Sequence, residues 1–252
     1  MSKLIKFQFM RAFESKRLIL SIGLLLLTAI TGFVLCEVFY SPLEDSRLGI
    51  LSLFNSFTQF FYLIFAYILV SLFADDIQSG SIILFRYMGF GTSSVVLSKI
   101  IYCLVLFIPI VDLAVVIGAF IYQCNNFEFL IKVLLVLDLS IIQVLLLACF
   151  LSQLIKKTNI ATIVMYGCFL CFNIVNIFAY GLTNQADSNS LTTYFVASLS
   201  DSLRNQPKWE SVVDLTNDQL FFYSVLVNIF WILLLGIIVV LTTCKGGKKH
   251  AL

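Results

Sequence analysis

The sequence predicts an all-α, polytopic membrane protein, and three observations carry that prediction. Of the 252 residues, 60% are hydrophobic and 12% charged, whereas roughly a quarter are charged in soluble domains; the mean hydropathy is +1.02. Apolar runs at about 18–40, 48–73, 100–122, 129–151, 159–181 and 219–243 each reach the roughly 20 residues that a helix needs to cross a bilayer. Basic residues then fall on alternate connections. With the N-terminus in the cytoplasm, twelve of the sixteen Lys and Arg residues lie on that face and only Arg47, Lys132, Arg204 and Lys208 lie outside. The positive-inside rule therefore predicts six transmembrane helices with both termini cytoplasmic.

Residues 1–17, MSKLIKFQFMRAFESKR, place Ile5, Phe9, Ala12 and Phe13 on one side of a helical wheel and Gln8, Arg11 and Ser15 on another. Such an amphipathic helix lies in the inner membrane interface before the chain turns into the bilayer. A plainer alternative is a basic flank that sets topology and nothing more. The apolar run from residue 18 is longer than a signal-peptide core and no small-residue cleavage site follows it, so it is expected to remain as the first span. Span two is dense in aromatics, among them Phe54, Phe57, Phe65 and Tyr67.

Connections are short except at an inner segment, residues 74–99, and an outer one, residues 182–218. Connections of that length carry structure or function of their own. In the outer excursion Leu191, Phe195, Leu199 and Leu203 recur at helical spacing and predict a short surface helix. No internal repeat or low-complexity tract divides the chain, so residues 1–252 read as one domain.

The residue inventory argues against bond chemistry. The single histidine, His250, sits in the basic C-terminal tail, which removes His-based metal clusters and Ser-His or Cys-His pairs. No zinc-protease, hydrolase-elbow or phosphate-loop motif occurs. Seven cysteines, mostly inside spans, behave as small hydrophobes, and Cys168-x-x-Cys171 lacks the context of a redox or metal site. The chain is expected to be no enzyme and to bind no metal or cofactor itself.

Polar groups inside the spans are the exceptions that need a reason. Asp112 and Asp138 lie near the middle of spans three and four, where a carboxylate costs about 2.5–3.5 kcal/mol on insertion scales. They serve either as a substrate or proton contact or as a polar clamp between adjacent helices. Asn55, Thr58 and Gln59 in span two, and Asn173 and Asn176 on one face of span five, either bridge helices or line a path for an amphipathic cargo.

The inner segment, FADDIQSGSIILFRYMGFGTSSVVLSKII, is too polar to cross a bilayer and too apolar for an ordinary loop. Asp75 and Asp76 mark the exit of span two, Ser79 or Ser81 can cap a helix, and Gly89 and Gly91 can end it. Residues 82–88 between them are apolar on nearly every face apart from Arg86, so they must be buried against something. Either a separate partner receives them or they fold back beneath their own spans.

In order and in place, Asp75 or Asp76, Gly80-Ser81, Gly91-Thr92-Ser93 and Ser98-Lys99 resemble the inner coupling segment of permease subunits of type-2 ATP-binding-cassette exporters, whose smaller bacterial members include bacteriocin-immunity and peptide-export permeases. The resemblance extends over the interfacial helix, the six spans and the outer excursion. Asp stands where the family has Glu, and Ser94 where many members have Arg. The resemblance implies that Asp75, Asp76, Gly80, Ile82, Leu84, Phe85, Arg86 and Met88 form a coupling element that docks on a separate ATPase subunit, which carries the ATP and Mg. It further implies that spans two and five face a second permease chain, identical or paralogous, across a path lined by Asn55, Gln59, Asn173 and Asn176, to which the intramembrane Asp112 and Asp138 are added. The expected function is the permease half of an exporter in the bacterial cytoplasmic membrane, moving an amphipathic peptide, lipid-like or drug-like cargo. The alternative is a membrane-embedded immunity or sensor protein that binds its ligand without an ATPase.

Overall fold

A computed structural model of the chain describes residues 2–39, 47–183 and 217–248, which are almost wholly helical and contain no strand. In chain order they form α1 (Ser2–Glu14), α2 (Arg17–Phe39), α3 (Arg47–Gln78), α4 (Ser81–Tyr87), α5 (Thr92–Ile121), α6 (Phe127–Ile155), α7 (Thr158–Thr183) and α8 (Asn217–Lys248). Among the described residues three segments are long and apolar enough to cross a membrane: Arg17–Leu35, Thr92–Ile121 and Phe127–Ile155. A fourth is added if Ile64–Gln78 and Ser81–Tyr87, which meet at 65°, count as one bent span. The outer helix expected at Leu191–Leu203 lies outside the described residues.

Helix α3 is the hub, packing on α2, α5, α6 and α7, and α6 carries α8 on another side. Ile50, Leu53, Phe54, Phe57, Phe65 and Leu69 of α3 are fully buried, and the Phe65 ring meets Phe107 of α5 edge-on with centroids 5.3 Å apart. Among the described aromatic side chains of this helix, Phe54, Phe57, Phe65 and Phe73 are core and Tyr67 is exposed. Close approach of α2 depends on Gly32, where a Cβ would stand 2.8 Å from Leu53 Cδ2 and 3.2 Å from the Leu53 Cα. Small residues bring membrane helices together in this way.

The helices run further than the apolar runs suggest. Residues 74–78 continue α3 and residues 92–99 open α5, so the non-spanning piece of the inner segment shrinks from 74–99 to 79–91. The reason is local: no Gly or Pro interrupts either flank until Gly80 and Gly91. Side-chain bonds gather the starts of α2, α5 and α7 and the ends of α3, α6 and α8 at one end of the bundle, where α1 and α4 also lie. We refer to this as the α4 end.

Helix α1 is turned differently from its wheel. Leu4, Gln8 and Ala12, at successive i+4 steps, face the bundle, while Phe7, Met10 and Phe13 are exposed. Arg11 points inward because Asp76 at the end of α3 lies beneath it, Gln8 is buried beside it, and Phe9 is held by an edge-on contact with Tyr102 at 4.8 Å.

Candidate functional site

The site is the α4 end, and its base is a set of ion pairs. Asp76, in the last turn of α3, is 1% exposed and lies 2.5 Å from the Arg11 guanidinium of α1 and 2.7 Å from Lys99 Nζ of α5. Lys99, itself buried, also donates to the Leu72 carbonyl. Beside it Arg17 of α2 donates to Asp75 at 2.6 Å, and the Thr158 hydroxyl, at the start of α7, reaches Asp75 at 3.0 Å and Gln78 at 3.2 Å. Ser152 of α6 donates to the Val70 carbonyl at 3.2 Å. Every helix around α3 is thus tied to its last two turns. A buried carboxylate is tolerated only when paired, and Asp76 has two cations.

From this base the chain turns through Gly80, whose φ of 71° is a conformation that L side chains rarely adopt. Ser79 and Ser81 bond to each other at 2.7 Å, and the Ser81 N–H donates to Ser79 Oγ at 3.4 Å, while Gly80 occupies the N-cap position itself. At the far end Gly89, with φ of 82°, closes α4. The Phe90 N–H donates to Phe85 O and the Gly89 N–H to Arg86 O, both at 2.9 Å, with Phe90 packed beside Phe85. This is a Schellman closure, which stops a helix within one residue.

The apolar character of α4 is divided between two faces. Phe85 is 4% exposed, buried with Leu4 and Val95 and meeting the Phe7 ring edge-on at 5.6 Å. Ile82 is half-buried, and the half-buried Arg86 donates through Nε and Nη2 to Thr92 Oγ1 at 3.2 and 2.9 Å, which ties α4 to the start of α5. On the other face Leu84 is 64%, Tyr87 85% and Met88 60% exposed. One face of the segment folds back under the bundle, and the other stands clear of it.

Each residue of the coupling set is therefore near the others, with different tasks. Asp75, Asp76, Gly80, Phe85 and Arg86 hold and aim the helix, whereas Leu84 and Met88 form its outer face. Sequence reasoning missed Arg11, Arg17 and Thr158 as members of this site. The signal available was an acidic pair at a helix end, which needs cations at the same depth.

The intramembrane polar residues are less concentrated. α5 and α6 bring Asp112 and Asp138 together, so that their carboxyl groups interact directly, while one oxygen of each, Oδ1, is buried without a hydrogen-bond partner. Gln143 is buried in α6. Thr58 donates to the Phe54 carbonyl of its own helix at 2.9 Å. Asn55 and Gln59 fall on α3 and Asn173 and Asn176 on α7, with side chains outside the described part. Among the described residues no group of His, Cys, Asp and Glu could hold a metal ion. Comparison with models of known protein families and with curated proteins finds no match.

Proposed function

We propose that the chain is the permease half of an ATP-binding-cassette exporter of the type-2 class, with α4 as the element that receives motion from a separate ATPase subunit. The single observation that carries this proposal is the two-faced α4: a short helix braced by Phe85 and Arg86 that presents Leu84, Tyr87 and Met88 outward. An apolar face kept in position at a helix bundle's end is suited to a protein partner. The buried Asp76–Lys99 pair supports the same function, because it joins the two helices that flank α4 and would pass a displacement of α4 into α3 and α5.

In this proposal α2, α3, α5, α6, α7 and α8 are the six spans. The 32 residues of α3, 26 of α7 and 32 of α8 give helices about 48, 39 and 48 Å long, enough for a bilayer. The start of α2 and the end of α8 share the α4 end, which suits termini on one side, the cytoplasmic side of a bacterial membrane. ATP and Mg belong to the partner, and a second permease chain completes the path for an amphipathic cargo. Coupling then requires that nucleotide states of the ATPase differ in their contacts with α4.

Leu84→Asp tests the proposal. The side chain is mostly exposed, so folding stability should change by no more than about 0.5 kcal/mol. Isolated from native membranes in mild detergent, the wild-type chain should bring a P-loop ATPase with it, and Leu84→Asp should lose that subunit and cargo export. A wild-type chain that carries no ATPase and binds a ligand directly would favour the immunity or sensor alternative.

A further inference from the structure

A cavity of about 150 Å³ lies between α1, α2, α3 and α5 at the α4 end, lined on one side by Gln8, Arg11, Ser15, Arg17 and Ser21. The lining from α3 and α5, Ile68, Leu69, Leu72, Tyr102, Cys103 and Phe107, is apolar apart from the Tyr102 hydroxyl and the Cys103 thiol. Gln8 is 2% exposed, lines this cavity, and its buried Nε2 has no hydrogen-bond partner. An unpartnered buried amide donor is costly to leave unmade, by roughly 1–3 kcal/mol. The sequence keeps it at a position where leucine would pack at similar size.

The polar wall offers donors from Gln8, Arg11, Arg17 and Ser21, while the Ser15 hydroxyl donates to the Ala12 carbonyl at 3.3 Å. Arg11 uses Nη1 on Asp76 and Arg17 uses Nη2 on Asp75, which leaves further N–H groups on each guanidinium. In the cluster as a whole the cations Arg11, Arg17 and Lys99 stand against the carboxylates Asp75 and Asp76, so 3 − 2 leaves one positive charge over. A guanidinium, an amide N–H and the Ser21 hydroxyl on one side fit a phosphate ester. An apolar wall on the other side fits a hydrocarbon chain. The volume is below the 300–1,000 Å³ usual for whole drug-sized ligands, so it suits a head group whose chains run out along the helices.

We infer that this cavity binds the head group of an anionic phospholipid, with Gln8 donating to the phosphate, and that the bound lipid staples α1 to α2, α3 and α5. Basic pockets between membrane helices take such lipids. The assignment is independent of the transport proposal, since it needs only a bilayer and this cavity.

The test uses the full chain, purified in detergent and stripped of lipid, with its thermal midpoint read by intrinsic fluorescence. Short-chain phosphatidylglycerol should raise the midpoint saturably, while phosphatidylcholine of the same chain length and inorganic phosphate should leave it unmoved. Gln8→Leu should fold with an unliganded midpoint at or above wild type, because it removes an unpartnered amide. Its apparent affinity for phosphatidylglycerol should fall roughly tenfold or more, as should that of Gln8→Glu, which sets a carboxylate against the phosphate. An undiminished phosphatidylglycerol shift in Gln8→Leu overturns the assignment. So does an equal shift with inorganic phosphate, which would make this a free-anion site, or with phosphatidylcholine, which would make the effect one of the acyl chains alone.

Discussion

At the scale of single residues, Asp76 decides the most. Its carboxylate is almost fully enclosed and shared between a cation of α1 and a cation of α5. Removing one partner of a buried ion pair leaves an uncompensated charge and costs about 3–5 kcal/mol. Asp76→Asn, which strands Lys99 in this way, should lower stability by about that much in a denaturant or thermal titration in detergent. Asp76→Leu combined with Lys99→Met should recover most of the loss, since an apolar pair of similar volume can replace a buried ion pair and Arg11 is exposed enough to reach water. A double variant no more stable than Asp76→Asn would mean that Arg11 holds the stabilising half of the network. Asp75 and Asp76 stand out in the sequence as charges at a helix exit, but their partners do not. Arg17 is 58 and Arg11 65 positions away, and helical periodicity assigns a residue to a face of its own helix without saying which helix lies opposite.

Among the elements, α4 owes its shape to two glycines in left-handed conformations that no side chain crowds. Gly89→Ala should therefore act through the backbone alone, costing about 1–2 kcal/mol in the closure of α4. Faster tryptic cleavage at Arg86 than in wild type would read this out. Gly23→Ala, inside α2 with open space around it, should leave that cleavage unchanged, and equal acceleration by both would assign the effect to the fold at large. Gly89 was legible as a residue that ends the helix and the apolar run before it as a helix, whereas Gly80 takes the N-cap position for which the sequence offered Ser79 or Ser81. The division of that helix into a buried and an exposed face was not, because residues apolar all round carry no moment to orient them. Helix α1 taught the opposite lesson. Its polar residues suggested an outward face, yet Arg11 points inward, because the end of α3 supplies a carboxylate, and Gln8 is buried beside it.

For the molecule as a whole, helical class and affinity for a bilayer follow from composition and run length, which need no tertiary information. The packing order is a different matter: α3 is the hub because it contacts α2, α5, α6 and α7, with Gly32 admitting Leu53 and with Phe54, Phe57 and Phe65 fully buried. The meeting of Asp112 with Asp138 was equally invisible, since it depends on the relative rotation of α5 and α6. The outer face of α4 stands clear of the helices it packs on, α1, α3 and α5. A photo-reactive amino acid in place of Tyr87, the most exposed side chain of α4, tests the central claim most directly when activated in native membranes. Cross-linking to a soluble P-loop ATPase, lost when Leu84→Asp is added, is the result expected of a coupling helix. Cross-links confined to lipid or to the chain itself would contradict it.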